Sequence, residues 1–364
     1  MMISINRIVL KSSTMRRINL AIVASFVGLN IASCSSPTVK KSVTPISDEY
    51  GQAALTGAGS TFVYPLVSAW ADVYNHQRLG GVNTKTPNAG LDDTMTVRSL
   101  DYESVGSLAG MQRLSSSSVD FAISEMPLSP SELQRHGWQQ RALTAGGVAI
   151  VANIPELGQT QLKLDGETLA GIYQGTIKQW NHPNIVALNT GAPLPAKPIQ
   201  PIYRADGSGT TYTLSAYLDK VSPNWRSQMG RDLQLKWQVG KGYQGSTELV
   251  KAVSTTPHSI GYVNDTQAKT ANLAMIAIKN AQGQFVLPNP TTVMAATTAA
   301  PTEEGLLVNA NANQAYPIVA TAYALIPTGN SLRAKRANEF VDWAVTQGQT
   351  QVKRLGYVPL NIKK

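Results

Sequence analysis

Residues 203–211 read YRADGSGTT, and the types and order of these residues suit the binding of an anion. The pattern predicts that a strand ends here and a helix begins, so that free N–H groups with a partial positive charge face the ligand. Gly207 and Gly209 let the backbone approach a ligand closely. Arg204 and Asp206 share one face of an extended strand, where the carboxylate can orient the guanidinium. The alternative is an ordinary turn with an N-cap and a surface ion pair.

Two further segments have the same character. Residues 57–62 read GAGSTF and precede a predicted amphipathic helix over 65–74, and residues 104–107 read SVGS and precede another short helix. Each is rich in Gly, Ser or Thr and opens a helix. In chain order the first loop is 57–62, the second is 104–107 and the third is 203–211, and three such loops favour an anion site more strongly than one loop does.

Residues for metal or nucleophilic chemistry are scarce. The single cysteine, Cys34, allows neither a disulfide framework nor a cysteine-based metal site. The four histidines are far apart, without metal-binding spacing. Ser208 is flanked by Arg204 and Asp206, which bind anions and cations but do not deprotonate a hydroxyl. We therefore predict no cofactor, no metal and no catalytic residue.

The charge distribution argues against nucleic acid as a partner. The net charge is +9, but four basic residues precede Cys34, and the remainder has 27 Lys and Arg against 22 Asp and Glu, or +5. Apart from the lysine pairs at 40–41 and 363–364 no basic cluster occurs, and no aromatic residues are interleaved with basic ones. The diffuse positive charge is explained by steering of small anions or by solubility.

The N-terminal segment predicts export. Residues 1–33 contain a basic start around Arg16 and Arg17 and a short apolar run from Ile18 to Ile31, as in a signal peptide, whose true start is either Met1 or Met15. The tetrapeptide at 31–34, IASC, resembles a bacterial lipobox and implies lipidation of Cys34. Residues 34–52 are polar and predict a flexible tether. The alternative is a secreted protein with an incidental cysteine.

The remaining chain alternates predicted strands and helices, which indicates an α/β protein. We predict a glycine turn at 57–62, a helix followed by a strand within 225–239, and a turn at 175–180 with Trp180 packed beneath it, and we assign no structure to 288–305. Strands are predicted at 53–56, 119–123, 146–153, 259–263 and 316–326, and helices at 65–74, 169–173, 211–218, 247–253 and 332–346.

Together these motifs resemble the phosphate-binding proteins that serve ABC importers. The resemblance rests on LTGAGSTF at 55–62, VDFAISEMPL at 119–128 and RADGSGTT at 204–211, supported by blocks at 164–180, 260–263 and 316–318. It implies the two-lobed, type 2 periplasmic-binding-protein (Venus flytrap) fold, with two crossing strands near Asn153 and Tyr316. Lobe I would comprise 53–152 plus 316–364, and lobe II 153–315. The expected protein is a monomeric, membrane-anchored receptor in the cell envelope or periplasm, which works with permease and ATPase subunits of an importer.

The resemblance also implies the ligand contacts. Arg204 would clamp the anion, Asp206 would hold Arg204, and Glu125 would accept a proton from phosphate. Thr61 would donate through its amide and hydroxyl and Phe62 through its amide. The remaining donors would be Ser107, Ser208, Gly209 and Thr210.

Three positions, in two segments, depart from the family pattern. Glu125 stands where the family usually has Asp, so either its loop is set back to hold the extra methylene or Glu125 swings out and phosphate/sulfate selectivity weakens. The third possibility is a solvated loop residue. Leu108 and Ala109 stand where the family commonly has Ser and Gly, so one hydroxyl donor is expected to be missing.

Three other functions remain open from the sequence. Some relatives of this fold are associated with phosphatase activity. A receptor for sulfate, molybdate or arsenate would share most of the site. A role in adhesion, or in presenting phosphate to a sensor, would need binding but no importer.

Overall fold

The computed structural model describes residues 54–78, 100–299 and 305–360. The predicted signal segment, Cys34 and the predicted tether lie outside the described residues. No helix in the described ranges is long and apolar enough to span a membrane.

Strands and helices alternate through most of the chain, as predicted. The strands are β1 Leu55–Gly59, β2 Leu100–Glu103, β3 Phe121–Ser124, β4 Trp138–Asn153, β5 Lys163–Leu164, β6 Gln200–Arg204, β7 Lys241–Tyr243, β8 Ser259–Asn264, β9 Ala274–Met275, β10 Ala277–Lys279, β11 Phe285–Val286, β12 Val319–Pro327 and β13 Val358–Pro359. The helices are α1 Tyr64–Arg78, α2 Ser107–Ser115, α3 Pro130–His136, α4 Gly166–Gln174, α5 Pro183–Leu188, α6 Gly209–Val221, α7 Pro223–Gln228, α8 Gly245–Thr255, α9 Asp265–Thr270, α10 Pro290–Thr298, α11 Leu332–Ala344 and α12 Gln349–Arg354, with a 3-10 turn at Pro155–Leu157.

The long strand β4 connects two parts of the main sheet. Its first part, from Trp138 to Gly147, pairs antiparallel with β12, and its second part, from Val148 to Asn153, pairs antiparallel with β8. The strand order is β2-β1-β3-β12-β4-β8-β6-β7, with β13 and β9 also bonded to β4. The change of partner between Gly147 and Val148 divides the sheet into a β1-containing part and a β6-containing part.

Each part of the sheet ends in a predicted anion loop. Strand β1 lies between parallel neighbours β2 and β3, and its C-terminal end leads into α1. Strand β6 lies between parallel neighbours β7 and β8, and its C-terminal end leads into α6. Carboxyl ends of parallel strands followed by helix N-termini are where open α/β sheets bind ligands.

Aromatic side chains fill the core beneath these ends. Trp70 of α1 and Trp225 of α7 are fully buried. Trp180 is also fully buried, as the sequence predicted, and its Nε1 donates to the carbonyl of His258 at 3.0 Å.

The prediction of a glycine turn from residue 57 was wrong. Strand β1 continues through Gly57 to Gly59 because the missing side chains let the strand lie directly against its neighbour β3. A Cβ on Gly57 would lie 2.3 Å from the Phe121 ring, and one on Gly59 would lie 2.3 Å from the Ile123 carbonyl oxygen. The glycines therefore serve strand packing, and the turn begins at Ser60.

The prediction of a strand at the end of 225–239 was also wrong. Helix α7 ends at Gln228, and the chain to Gly240 has no regular structure. This segment instead covers the third loop: the Leu233 carbonyl accepts from the Ser208 amide at 2.8 Å, and Trp237 stacks on Tyr203 with ring centroids 5.0 Å apart. The next strand, β7, lies in the glycine-rich segment that follows.

Within the unassigned range 288–305 the structure contains helix α10. Asn289 caps it by accepting from the amides of Thr291 and Thr292, and Pro290 occupies its first turn. Such caps and an N-terminal proline are ordinary helix-start signals. Residues 300–304 are outside the described ranges.

Candidate anion-binding site

The predicted site residues converge from both parts of the sheet. Arg204 Nη1 donates to Thr61 Oγ1 at 2.9 Å, although the two residues are 143 positions apart. The Gly209 amide donates to Ser107 Oγ at 3.1 Å. These contacts bring the loop after β1, the start of α2 and the loop after β6 together.

Arg204 is held rigidly by Asp206, as the spacing predicted. Its Nε donates to Asp206 Oδ1 at 2.7 Å and its Nη2 donates to Asp206 Oδ2. The Gly245 amide also donates to Oδ1, at 3.0 Å. Burial by itself would raise the pKa of Asp206, but the hydrogen bonds and charge of Arg204 outweigh it and lower that pKa. The carboxylate therefore stays ionised and fixes the guanidinium plane.

The first loop begins with a residue that the sequence analysis did not select. Ser60 Oγ accepts from the amides of Phe62 at 3.1 Å and Val63 at 3.3 Å, and donates to Glu125 Oε1. The Phe62 amide, predicted as an anion donor, is thus directed at Ser60 in this structure. Ser60 was detectable as the Ser of GAGSTF shortly before a predicted helix, because a serine hydroxyl there can accept from the backbone amides that follow it.

The carbonyls of the first loop are held by distant side chains. Tyr102 Oη donates to the Ser60 carbonyl at 3.2 Å, Gln267 Nε2 to that of Thr61 at 3.2 Å, and Tyr357 Oη to that of Phe62 at 2.8 Å. Three carbonyl oxygens are satisfied in this way, so none of them needs to face an anion. No local sequence signal pointed to these three side chains.

Glu125 points into the protein and does not swing out to solvent. It is 2% exposed, Ser107 Oγ donates to its Oε2 at 3.0 Å, and Ser60 donates to its other oxygen. Burial raises the pKa of Glu125 to about 7, with the hydrogen bonds from Ser60 and Ser107 and the charge of Arg204 acting in the opposite direction. The carboxyl therefore changes its protonation state near neutral pH.

The absence of a side chain at Gly209 makes room for the longer Glu125 carboxyl. A Cβ at Gly209 would lie 1.9 Å from Glu125 Oε2 and 2.6 Å from Ser107 Oγ. Glu125 thus lies against the first residue of α6, where partial positive charge favours its ionised form.

The other predicted donors of the third loop, Ser208 and Thr210, are buried as well. Ser208 caps α6 by accepting from the Thr211 amide at 3.3 Å, so its hydroxyl serves the helix here. Thr210 is buried in the first turn of α6. Leu108, the departure in the second loop, donates through its amide to the Gly207 carbonyl at 3.0 Å and joins the second loop to the third.

A further contributor is Ser246, which the sequence analysis missed. Its Oγ lies 2.7 Å from Thr61 Oγ1 and 3.2 Å from Arg204 Nη1. Residues 245–247 read GST at a predicted helix start, the same signal as in the other loops.

The site as a whole combines one cation, several hydroxyl and amide donors, and one titrating carboxyl, which suits a tetrahedral oxyanion. Within the described ranges no group of three or more His, Cys, Asp or Glu could hold a metal ion.

The fold and the whole chain define the class of protein. Residues 37–347 match the PBP superfamily domain. The chain is similar to the phosphate-binding protein PstS of Haemophilus influenzae, at 37% identity over 314 residues, 84% of this chain and 89% of the relative. The chain therefore belongs to the PstS family of phosphate-binding proteins. As a member it is a solute-binding protein and not an enzyme.

Solved structures confirm the predicted fold class. The chain is similar to a phosphate-binding protein from Stenotrophomonas maltophilia, with a TM-score of 0.59 and 19% identity, covering 85% of this chain and 91% of that one. It is also similar to an ABC-type phosphate transport receptor from Vibrio cholerae, with a TM-score of 0.54 and 19% identity, covering 84% and 99% of the two chains. The fold is the two-lobed α/β fold of these receptors.

Proposed function

We propose that this chain is an extracytoplasmic receptor that captures inorganic phosphate between two lobes and delivers it to an ABC importer. One observation carries the choice of ligand: the buried Glu125 carboxyl lies among hydroxyl and amide groups, whereas the other site carboxylate, Asp206, is already occupied by Arg204 and the Gly245 amide. The relatives named for phosphate binding and phosphate transport support the proposal.

The chemistry follows from the protons on the ligand. Phosphate near neutral pH retains at least one proton, which it can donate to an ionised Glu125. Sulfate has no proton to donate, so it would place a charged oxygen against a buried carboxylate, and such an unmet contact is costly. Arg204 supplies the compensating charge. Thr61, Phe62, Ser107, Ser208, Gly209 and Thr210 supply the hydrogen-bond donors in this proposal.

The lobes in this proposal are residues 53–152 plus 316–364 and residues 153–315. Their closure would bring Arg204 to Thr61 and Leu108 to Gly207, contacts that the structure contains. The crossings in this proposal lie near Asn153 and Tyr316, and β4 changes partner between Gly147 and Val148, shortly before the first of them. Hinge closure around a ligand is a common motion of such receptors.

The predicted N-terminal segments complete the proposal. A signal peptide over 1–33 exports the chain, lipidation at Cys34 anchors it, and residues 34–52 allow the body to reach the permease. The receptor acts as a monomer. Labelling with a fatty acid in cells, lost in Cys34→Ser, would test the anchor.

Calorimetric titration of the purified protein with phosphate and with sulfate at pH 8 tests the function. Tight phosphate binding with sulfate rejected by at least a hundredfold is the expected result. Binding of neither anion would contradict the proposal.

The pKa of Glu125 favours a second candidate, a receptor for several oxyanions. A carboxyl with a pKa of about 7 is partly protonated at neutral pH and can then donate to a fully deprotonated anion such as sulfate. Comparable binding of both anions at pH 7, where part of the Glu125 carboxyl is protonated, would favour this candidate, and rejection of sulfate at pH 7 would count against it.

A further inference from the structure

Helix α8 approaches the anion site with its N-terminal end. The helix runs from Gly245 to Thr255, and the Gly245 amide donates to Asp206 Oδ1 at 3.0 Å. The next residue, Ser246, is 4% exposed, and its hydroxyl contacts both Thr61 and Arg204. None of the predicted ligand contacts lies on this helix.

The Ser246 hydroxyl is not used to cap its own helix. The N-cap position of α8 is Gln244, and no side chain accepts a cap hydrogen bond there. The hydroxyl instead bonds to two groups that belong to loops distant in sequence, Thr61 by 185 positions and Arg204 by 42. Its placement therefore serves the contact with the site.

Counting hydrogens shows what this contact does to Arg204. A guanidinium has five N–H groups. Nε and one hydrogen of Nη2 bind Asp206, and Nη1 donates to Thr61 Oγ1 and Ser246 Oγ. At least one hydrogen, on Nη2, is left to meet an anion, and the contacts with Asp206 fix the guanidinium plane that sets its direction.

The same count decides the role of the Thr61 hydroxyl. A hydroxyl has one donor hydrogen and two acceptor lone pairs. Thr61 Oγ1 accepts from Arg204 and lies 2.7 Å from Ser246 Oγ, a contact in which either hydroxyl can donate. If Ser246 donates, both lone pairs of Thr61 Oγ1 are occupied. The capacity then left on the Thr61 hydroxyl is its proton, which suits an anionic oxygen and not a protonated one.

We propose that Ser246 is a positioning residue of the phosphate site, which holds the Thr61 hydroxyl as a pure donor and steadies Arg204 Nη1. This inference rests on the proposed function. The inference also assigns the ligand oxygens to their partners. The Thr61 hydroxyl contacts an unprotonated phosphate oxygen, and the protonated oxygen contacts Glu125.

A double-mutant cycle on the full chain tests the inference, with inorganic phosphate as the probe in calorimetry. Ser246→Ala should weaken phosphate affinity roughly tenfold, the effect expected of one hydrogen bond in a charged network. In a Thr61→Val background, which removes the hydroxyl but keeps the shape, the same substitution should weaken affinity by only about threefold, because its contact with Thr61 is already absent and only its contact with Arg204 Nη1 is lost. Thr247→Ala, an exposed hydroxyl in the same turn, is the matched control.

The outcomes separate this inference from the proposed function. Unchanged phosphate affinity in Ser246→Ala, or an equal loss in both backgrounds, would overturn the positioning role, since a general disturbance of α8 acts additively. Thermal unfolding of each variant verifies that it is folded. Ser246→Thr, which keeps the hydroxyl, should restore binding to within about threefold of the wild type. Failure of the wild-type chain to bind phosphate would instead contradict the proposed function itself.

Discussion

At the scale of single residues, two groups of opposite character define the site. Arg204 is 2% exposed and permanently charged, and its geometry is set by Asp206. Glu125 is equally buried but titrates near neutral pH. In the proposed function Arg204 provides binding energy and Glu125 discriminates phosphate from sulfate. Each residue can be replaced separately.

Replacing Arg204 tests the binding energy. We expect Arg204→Ala to weaken phosphate affinity by at least a hundredfold, because truncating one member of a buried, hydrogen-bonded charge pair costs about 2–5 kcal/mol. Calorimetry measures the loss, and circular dichroism monitors folding. Arg226→Ala is the control, since Arg226 is largely exposed beside Asp219. Unchanged affinity in Arg204→Ala would refute the assigned site.

The raised pKa of Glu125 predicts a pH-dependent stability. Without ligand, the unfolded chain ionises Glu125 near 4.5 and the folded chain only near 7. As the pH rises between these values, the unfolded chain releases the Glu125 proton while the folded chain retains it, so the free energy of unfolding falls. The stabilising contribution of protonated Glu125 is therefore fully present below about pH 4.5 and is lost by pH 7. The difference of about 2.5 pH units corresponds to about 3 kcal/mol.

Denaturant unfolding of the wild type and of Glu125→Gln across pH 4.5 to 8 measures this effect. The wild type should lose up to about 3 kcal/mol relative to the variant as the pH rises. Parallel pH profiles for the two proteins would contradict the raised pKa.

The same carboxyl predicts a pH-dependent selectivity. Phosphate should be preferred over sulfate most strongly at pH 8, where Glu125 accepts a proton from the ligand. The preference should fall at pH 5.5, where the protonated carboxyl donates instead. Glu125→Gln should bind the two anions with a preference at least tenfold smaller than that of the wild type at pH 8. Competition calorimetry gives these ratios, and a preference independent of pH would contradict the role of Glu125.

At the scale of the elements, the start of α6 is shaped around Glu125. The helix begins at Gly209, whose amide donates to Ser107, and Ser208 caps it. A larger residue at the first position would meet the carboxyl directly. The extra methylene of Glu is therefore accommodated by a glycine in another element, and not by exposure of the side chain.

A compensating pair of substitutions tests this fit. Gly209→Ala should weaken phosphate affinity by tenfold or more, because the new methyl displaces Glu125 and Ser107. Adding Glu125→Asp shortens the carboxyl and should recover part of the loss. Calorimetric titration of the two single variants and the double variant with phosphate measures whether the shorter carboxyl relieves the steric conflict. A double variant no better than Gly209→Ala would show that the steric conflict lies elsewhere.

At the scale of the whole molecule, β4 joins the two parts of the sheet that carry the loops. The proposed closure predicts that phosphate shortens the distance between them. Cysteines at exposed Ser131 in α3 and Ser254 in α8, in a Cys34→Ser chain, allow spin labels on both sides. Phosphate should shift the distance distribution to shorter and narrower values, and Arg204→Ala should remove the shift. Identical distributions with and without phosphate in the wild-type background would contradict hinge closure.

Much of the site could be predicted because its signals are local. The Gly, Ser and Thr loops before helices, the Arg204–Asp206 spacing and the strand–helix alternation depend on residues adjacent in sequence. Local backbone preferences and capping chemistry act within such segments, so pattern and composition were sufficient for them. The family resemblance then supplied the roles of the individual residues.

The tertiary structure decided what depends on long-range contact. Ser246 and Ser60 gain their roles from partners far along the chain, Thr61 and Glu125 respectively. The pKa of Glu125 and its inward direction result from burial, which no single segment determines. The extension of β1 through its glycines and the irregular path after α7 follow from packing against other elements. The sequence thus determined the chemical groups and their local geometry, and only the folded chain determined which groups meet.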